Sequence, residues 1–179
     1  MHEPAAIGPV LYIFSGLPAS GKSSLAQAVS RDRRAVYLRI DTIEQALREC
    51  LKVEVQAEGY RIAYRIAGDN LRLGLSVVAD SCNPIELTRR EWEGVARDAG
   101  AAYMNIEVVC SDLREHRARA ESRVAEVPGL RLPTWREIRD REYHPWSVER
   151  LVIDTAGRSR EASVDDLLAC LPSTGALPR

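Results

Sequence analysis

A glycine-rich turn set between a strand pattern and a helix pattern constrains this chain more than any other feature. Residues 10–16 read VLYIFSG and residues 21–29 read GKSSLAQAV, so Gly16, Gly21, Lys22 and Ser23 satisfy the spacing G-x-x-x-x-G-K-[ST]. Apolar residues run without alternation through 10–14, the pattern of a strand covered on both faces. After Lys22 the apolar residues recur at helical spacing. In that setting the backbone N–H groups of the turn face inward, the helix N-terminus adds partial positive charge and Lys22 adds a point charge. The expected guest is a nucleoside triphosphate with Mg²⁺, and the kinase reading reached below makes it ATP. Pro18, Ala19, Ser20, Gly21 and Ser24 complete the binding stretch, Ser20 and Ser24 also tuning the loop or capping the helix, and Ser23 is the expected magnesium ligand.

The rest of the chain repeats the theme. Apolar runs at 35–40, 74–80, 102–110 and 150–154 alternate with helix-period segments at 22–31, 42–51, 57–73, 86–99 and 112–125. Such alternation predicts crossover units and an α/β fold with a sheet of about five parallel strands, whose ligands gather at the carboxyl ends of the strands. The segment 126–146, EVPGLRLPTWREIRDREYHPW, breaks the rhythm with Pro, Gly and many Arg and reads as a lid or insertion. One domain over 1–171 is expected, with a lid at about 124–146 and a frayed tail at 172–179.

Two acidic residues fall where chemistry is expected. Asp41 ends the second apolar run, on the side of the sheet that carries the glycine turn. A carboxylate there is placed to take the proton of an acceptor hydroxyl as it attacks a γ-phosphate. The same residue, with Glu44 three positions on, also fits a capping box. Asp80 ends the third run. It is placed either to hold Mg²⁺ beside Ser23 or to begin the turn into Asn83 and Pro84. Arg119 and Arg123 lie four apart on one helix face, suited to an adenine ring and phosphates. By charge pattern alone they read as a solvated face, since Glu115 precedes Arg119 by four. His116 reads as a surface residue. Trp135, Tyr143 and Trp146 read as anchors of the irregular segment more readily than as base-stacking groups.

Charge and cysteine usage exclude several classes. With 25 basic and 26 acidic residues the net charge is -1, so no global field favours nucleic acid or an anionic membrane. No apolar stretch approaches the roughly 20 residues of a membrane span. The N-terminal residues lack a basic segment followed by a long apolar one, and the four cysteines are scattered without paired spacing. A reducing, cytoplasmic location is expected. The N-K-x-D base-reading motif of GTPases is absent, and Asp80 is followed by Ser81 rather than the Glu usual in motor ATPases.

Taken together, the glycine turn, RIDTIEQALR, GYRIAYRIAGDNLRLGLSVVADSCNP, REWEGVARDAGA and VVCSDLREHRARAESR resemble the small P-loop kinases of the AAA-33 type. That group includes relatives of polynucleotide 5'-hydroxyl kinase and chloramphenicol phosphotransferase. The resemblance spans about residues 10–157. It implies a three-layer fold like that of nucleoside monophosphate kinases. It matches Asp41 to the catalytic base, and Arg119 with Arg123 to the paired lid arginines, Arg123 acting in catalysis and Arg119 on the nucleotide. Polynucleotide kinases of this kind commonly carry an Arg three residues after the base, where this chain has Glu44, with Arg48 a turn further on. The expectation is therefore phosphotransfer to a small-molecule hydroxyl, with a polynucleotide acceptor disfavoured. An ATP-dependent switch without an acceptor is the remaining alternative.

Overall fold

The computed structural model describes residues 8–172, so the expected tail lies outside the described residues apart from Pro172. Five strands form one parallel sheet: β1 (Val10–Ser15), β2 (Val36–Arg39), β3 (Val77–Asp80), β4 (Ala102–Val109) and β5 (Leu151–Asp154), in the spatial order β2-β3-β1-β4-β5. The central β1 is buried along its whole length because both faces of the sheet are covered. Tyr12 and Phe14 join Val78, Ile106 and Val108 against α1 (Lys22–Arg33) and α7 (Arg160–Cys170). Leu11 and Ile13 join Leu38, Val77 and Ala79 against α3 (Glu58–Arg72) and α4 (Glu86–Asp98). Opposite-pointing neighbours thus feed two cores, which is why the run shows no polar alternation.

The register brings the ends of the strands together. Phe14 pairs with Asp80 on one side and Ile106 on the other, and Asp80 pairs with Arg39. The chain leaves each strand at the same end of the sheet, so the segments that follow β1, β2, β3 and β4 line one crevice. Gly74, at φ 84, closes α3 and lets the chain turn into β3.

The sequence expectations differ from the structure in several places. The third strand begins at Val77 rather than near residue 74, and α2 (Ile40–Leu51) follows β2 directly, so Asp41 sits in its first helical turn rather than on a strand end. No side chain caps that helix, and the Asp41–Glu44 capping box is therefore not formed. Helix α5 (Leu113–Ser122) ends before the expected Ala125, with Arg123 already extended. A helix not anticipated, α7, closes the fold, and the irregular insertion contains α6 (Trp135–Arg139), nucleated by a capping box between Thr134 and Glu137. No helix among the described residues is long and apolar enough to cross a membrane.

The insertion is two things rather than one lid. Its first part, about residues 124–133, lines the crevice. Its last part is tied down by Arg89, which is 2% exposed. Arg89 donates to the carbonyls of Asn83, Pro84 and His144, and its guanidinium lies 4.1 Å from the centroid of the Trp146 ring and 4.9 Å from that of Tyr143. The His144 N–H in turn donates to the Pro84 carbonyl at 2.7 Å. Tyr143 and Trp146 are therefore anchors, as their setting among irregular chain suggested. Replacing Arg89 by Met removes a charged donor from several buried carbonyls. It should lower unfolding free energy by about 3 kcal/mol in chemical denaturation and open the chain near residues 141–147 to limited proteolysis.

Candidate active site

The glycine turn is held in a shape that excludes most side chains. Gly16 has φ 143 and Gly21 has φ 94, and even Ala19 is left-handed at φ 67. A Cβ on Gly16 would run into the Val108 carbonyl of β4, so the residue type is fixed by close packing as well as by conformation. The loop is braced from outside. Gly16 N–H donates to the Cys82 carbonyl at 3.1 Å, and Thr155, just after β5, donates its hydroxyl to the Ser20 carbonyl at 2.8 Å. His116 approaches the Pro18 carbonyl at 2.9 Å through Nε2, which must carry the proton because a carbonyl only accepts. His116 is buried and meets the Trp135 ring edge-on at 5.2 Å, contrary to its reading as a surface residue.

Lys22 and Asp80 form the electrostatic centre. Their Nζ and Oδ1 are 2.6 Å apart, with the two side chains 11% and 1% exposed. The Tyr37 hydroxyl donates to the other carboxylate oxygen at 2.6 Å. Burial pushes the Asp80 carboxyl up, but the Lys22 charge and hydrogen bonds from Lys22, Tyr37 and Ser23 hold it below the ordinary carboxylate range. Burial pushes Lys22 down, and Asp80 more than reverses it, raising the ammonium above the usual lysine value. Both groups are thus charged at neutral pH. Asn83, at φ 45, donates to the Phe14 carbonyl at 3.0 Å and is buried, so it turns the chain and pins β1 to β3 rather than facing a ligand.

A cleft of about 910 Å³ opens over this centre. Its walls include the glycine turn, Asp41, Arg119 and Arg123, and on the side away from the turn Glu44, Arg48, Glu54 and the 129–133 stretch. Asp41 is about half exposed, with Arg39 Nε 3.9 Å away. Arg119 donates to the Thr155 hydroxyl at 2.7 Å and to its carbonyl at 2.9 Å, which fixes it beside the loop after β5. Arg123 is half-buried, its Nε without a hydrogen-bond partner among the described residues. The structure therefore brings Gly16, Pro18, Ala19, Gly21, Lys22, Ser23, Ser24, Asp41, Arg119 and Arg123 to one cleft. Ser20 stands just behind it, its buried hydroxyl unpartnered among the described residues. Asp80 lies beneath, reaching the cleft through Lys22. Sequence reasoning missed Arg39 and Thr155 and placed His116 on the surface; the alternation that puts Tyr37 and Arg39 on one side of β2, opposite Leu38, is the signal that could have found Arg39.

The donors suit a magnesium ion that keeps water and phosphate ligands. Ser23 offers a hydroxyl oxygen at the foot of the turn, with Asp80 beneath it as a hydrogen-bonded support, and among the described residues no three His, Cys, Asp or Glu side chains converge into a closed cage.

This arrangement of sheet, turn and cleft defines a P-loop α/β fold of the nucleoside monophosphate kinase type. The family model AAA_33, an AAA domain, matches residues 11–141, more than half the chain, and the chain belongs to that family. Membership implies nucleotide binding. The structure is similar to that of a provisionally assigned kinase from Chloroflexus aurantiacus, with TM-score 0.70, 21% identity and coverage of 92% of this chain and 100% of that one. It is also similar to APS kinase CysC of Mycobacterium tuberculosis in complex with AMPPNP and APS, with TM-score 0.66, 21% identity and coverage of 91% and 97%. A gluconokinase from Sinorhizobium meliloti matches with TM-score 0.64, 13% identity and coverage of 91% of each chain. No curated protein sequence matches the chain.

Asp80→Asn should cost about 3 to 5 kcal/mol of stability near neutral pH, because it strands the buried Lys22 charge. Asp80 is depressed in the folded state, so its contribution is present above the ordinary carboxylate pKa of about 3.9 and is lost as pH falls through the lower folded value. Thermal melts of the two proteins should differ at pH 7 and converge in strong acid.

Proposed function

We propose that this chain is a Mg²⁺-dependent kinase that moves the γ-phosphoryl group of ATP to a hydroxyl of a small molecule. The observation that carries the reading is the convergence, in one cleft, of a phosphate-binding turn, a half-exposed carboxylate at Asp41 and the arginines Arg119 and Arg123. The turn amides and Lys22 hold the β- and γ-phosphates. Arg119, fixed beside Thr155, stacks on the base. Asp41 accepts the proton of the acceptor hydroxyl while the acceptor oxygen forms its bond to phosphorus and the bridging oxygen leaves with ADP. Arg123 balances charge on the transferring group. Magnesium held near Ser23 and Asp80 would neutralise phosphate charge and help align the leaving group.

The acceptor side of the cleft carries Glu44, Glu54, Glu126 and Glu137, and its arginines are largely paired: Arg48 with Glu44 at 2.9 Å and Arg131 with Glu137 at 2.8 Å. A wall whose acids balance its arginines, Arg39 and Arg141 among them, presents no basic track for a polyanionic strand and favours a compact acceptor. Burial pushes the Glu44 carboxyl up, and Arg48 only partly offsets it.

Incubation with Mg²⁺ and γ-labelled ATP, with and without pooled acceptors (sugars, nucleosides, aminoglycoside and phenicol antibiotics, oligonucleotides), should give label transfer to one small-molecule pool. Asp41→Asn should lower that transfer by about 100-fold or more while nucleotide affinity stays near wild type. Phosphate release unchanged by every pool and by the substitution would contradict the proposal.

A further inference from the structure

Arg39 ends β2, two residues before Asp41, and occupies a position that packing alone does not account for. Its side chain is 15% exposed. Nε lies 3.9 Å from Asp41 Oδ2 and 3.9 Å from Asp80 Oδ2, while Nη1 is engaged at 2.7 Å by Glu126 of the insertion. The guanidinium therefore stands between the carboxylate read as the base and the one read as supporting magnesium, with its outer edge gripped by the segment lining the far wall. Nε is buried and has no hydrogen-bond partner among the described residues, and Nε of Arg123 is in the same state.

Burial is the main influence lowering the Arg123 pKa; the Asp41 charge opposes it, and the Arg39 charge adds a smaller lowering. Two guanidinium groups that line one cleft, each with an unpartnered Nε, form a site for an anion, because a negatively charged group between them satisfies both donors. Both line the cleft that holds the turn, Lys22 and Asp41. The anion that passes through that space in the proposed reaction is the phosphoryl group in transit.

We propose that Arg39 is a further catalytic residue that, with Arg123, binds the equatorial oxygens of the transferring phosphoryl group, with Glu126 as the positioning residue that holds its guanidinium in place. The inference rests on the kinase reading above. It assigns to β2 a cation that acts from the sheet side, while Arg123 acts from the end of α5. The step consumes nothing beyond ATP and acceptor: the bond to ADP breaks, the bond to the acceptor oxygen forms, and Arg39 stays protonated throughout.

The test needs no acceptor. Binding of a fluorescent ADP with Mg²⁺ is titrated with and without aluminium fluoride, a stand-in for the phosphoryl group in flight, for wild type, Arg39→Gln, Arg39→Lys and Glu126→Gln. Wild type should bind ADP about 100-fold more tightly with aluminium fluoride than without. Arg39→Gln should bind ADP alone within about threefold of wild type and keep no more than about a tenfold gain, as expected for loss of one transition-state donor. Arg39→Lys should retain an intermediate gain, since an ammonium replaces the charge but not the fork, and Glu126→Gln a gain between wild type and Arg39→Gln. A full gain in Arg39→Gln, or an equal loss with and without fluoride, overturns the role of Arg39 and leaves the kinase reading standing. Wild type that fails to bind ADP, or gains nothing from fluoride, overturns both. Should Arg39→Gln fail to fold, Arg39→Lys decides: a wild-type gain overturns the proposal and a reduced one supports it.

Discussion

The buried ion pair between Lys22 and Asp80 is the constraint on which the site depends. Removing two charges from water is costly, and here the cost is offset by a 2.6 Å contact and by the Tyr37 hydroxyl on the second carboxylate oxygen. The pair joins the first residue of α1 to the last residue of β3, so it ties the glycine turn to the sheet. It also keeps a cation poised under the cleft. A phosphate arriving there meets an ammonium already desolvated and already charged, which is what gives a preorganised site its strength.

Around that pair the fold supplies position. The parallel register sets Arg39, Asp80 and Phe14 side by side, so the loops that follow open on one crevice. Thr155 and His116 hold the turn from the β5 and α5 sides through the carbonyls of Ser20 and Pro18. Arg89 fixes the end of the insertion to the loop after β3, leaving the stretch near 124–133 to shape the acceptor side. Rigid support at one end and a lining segment at the other suit a cleft that must exclude water when occupied.

Much of this was legible in the sequence, for identifiable reasons. The glycine turn is readable because its conformation admits few residues and its flanking patterns are strong. The two-faced burial of β1 leaves an unbroken apolar run, and an Asp just before the α5 pattern caps that helix, the Asp112 carboxylate accepting from the Arg114 and Glu115 N–H groups. What escaped depends on tertiary contact. Asp41 read as a strand end because an apolar Ile40 continues the run, whereas the chain turns helical at that residue. His116 looks like one polar residue among many on α5 until the Pro18 carbonyl and Trp135 come to meet it. Helix α7 has weak amphipathic patterning, and its burial of Leu167, with Val164 and Leu168 packed alongside, makes it part of the core.

One cleft, formed by the turn and the insertion together, is the site for a nucleoside triphosphate in this reading. Amide hydrogen exchange with and without Mg²⁺ and a non-hydrolysable ATP analogue is the decisive measurement. Exchange should slow in residues 16–24 and in the stretch near 123–133, with the Arg89-anchored stretch near 143–147 unchanged. Exchange that is unaltered at the turn, or protection confined to a surface elsewhere on the molecule, would contradict it.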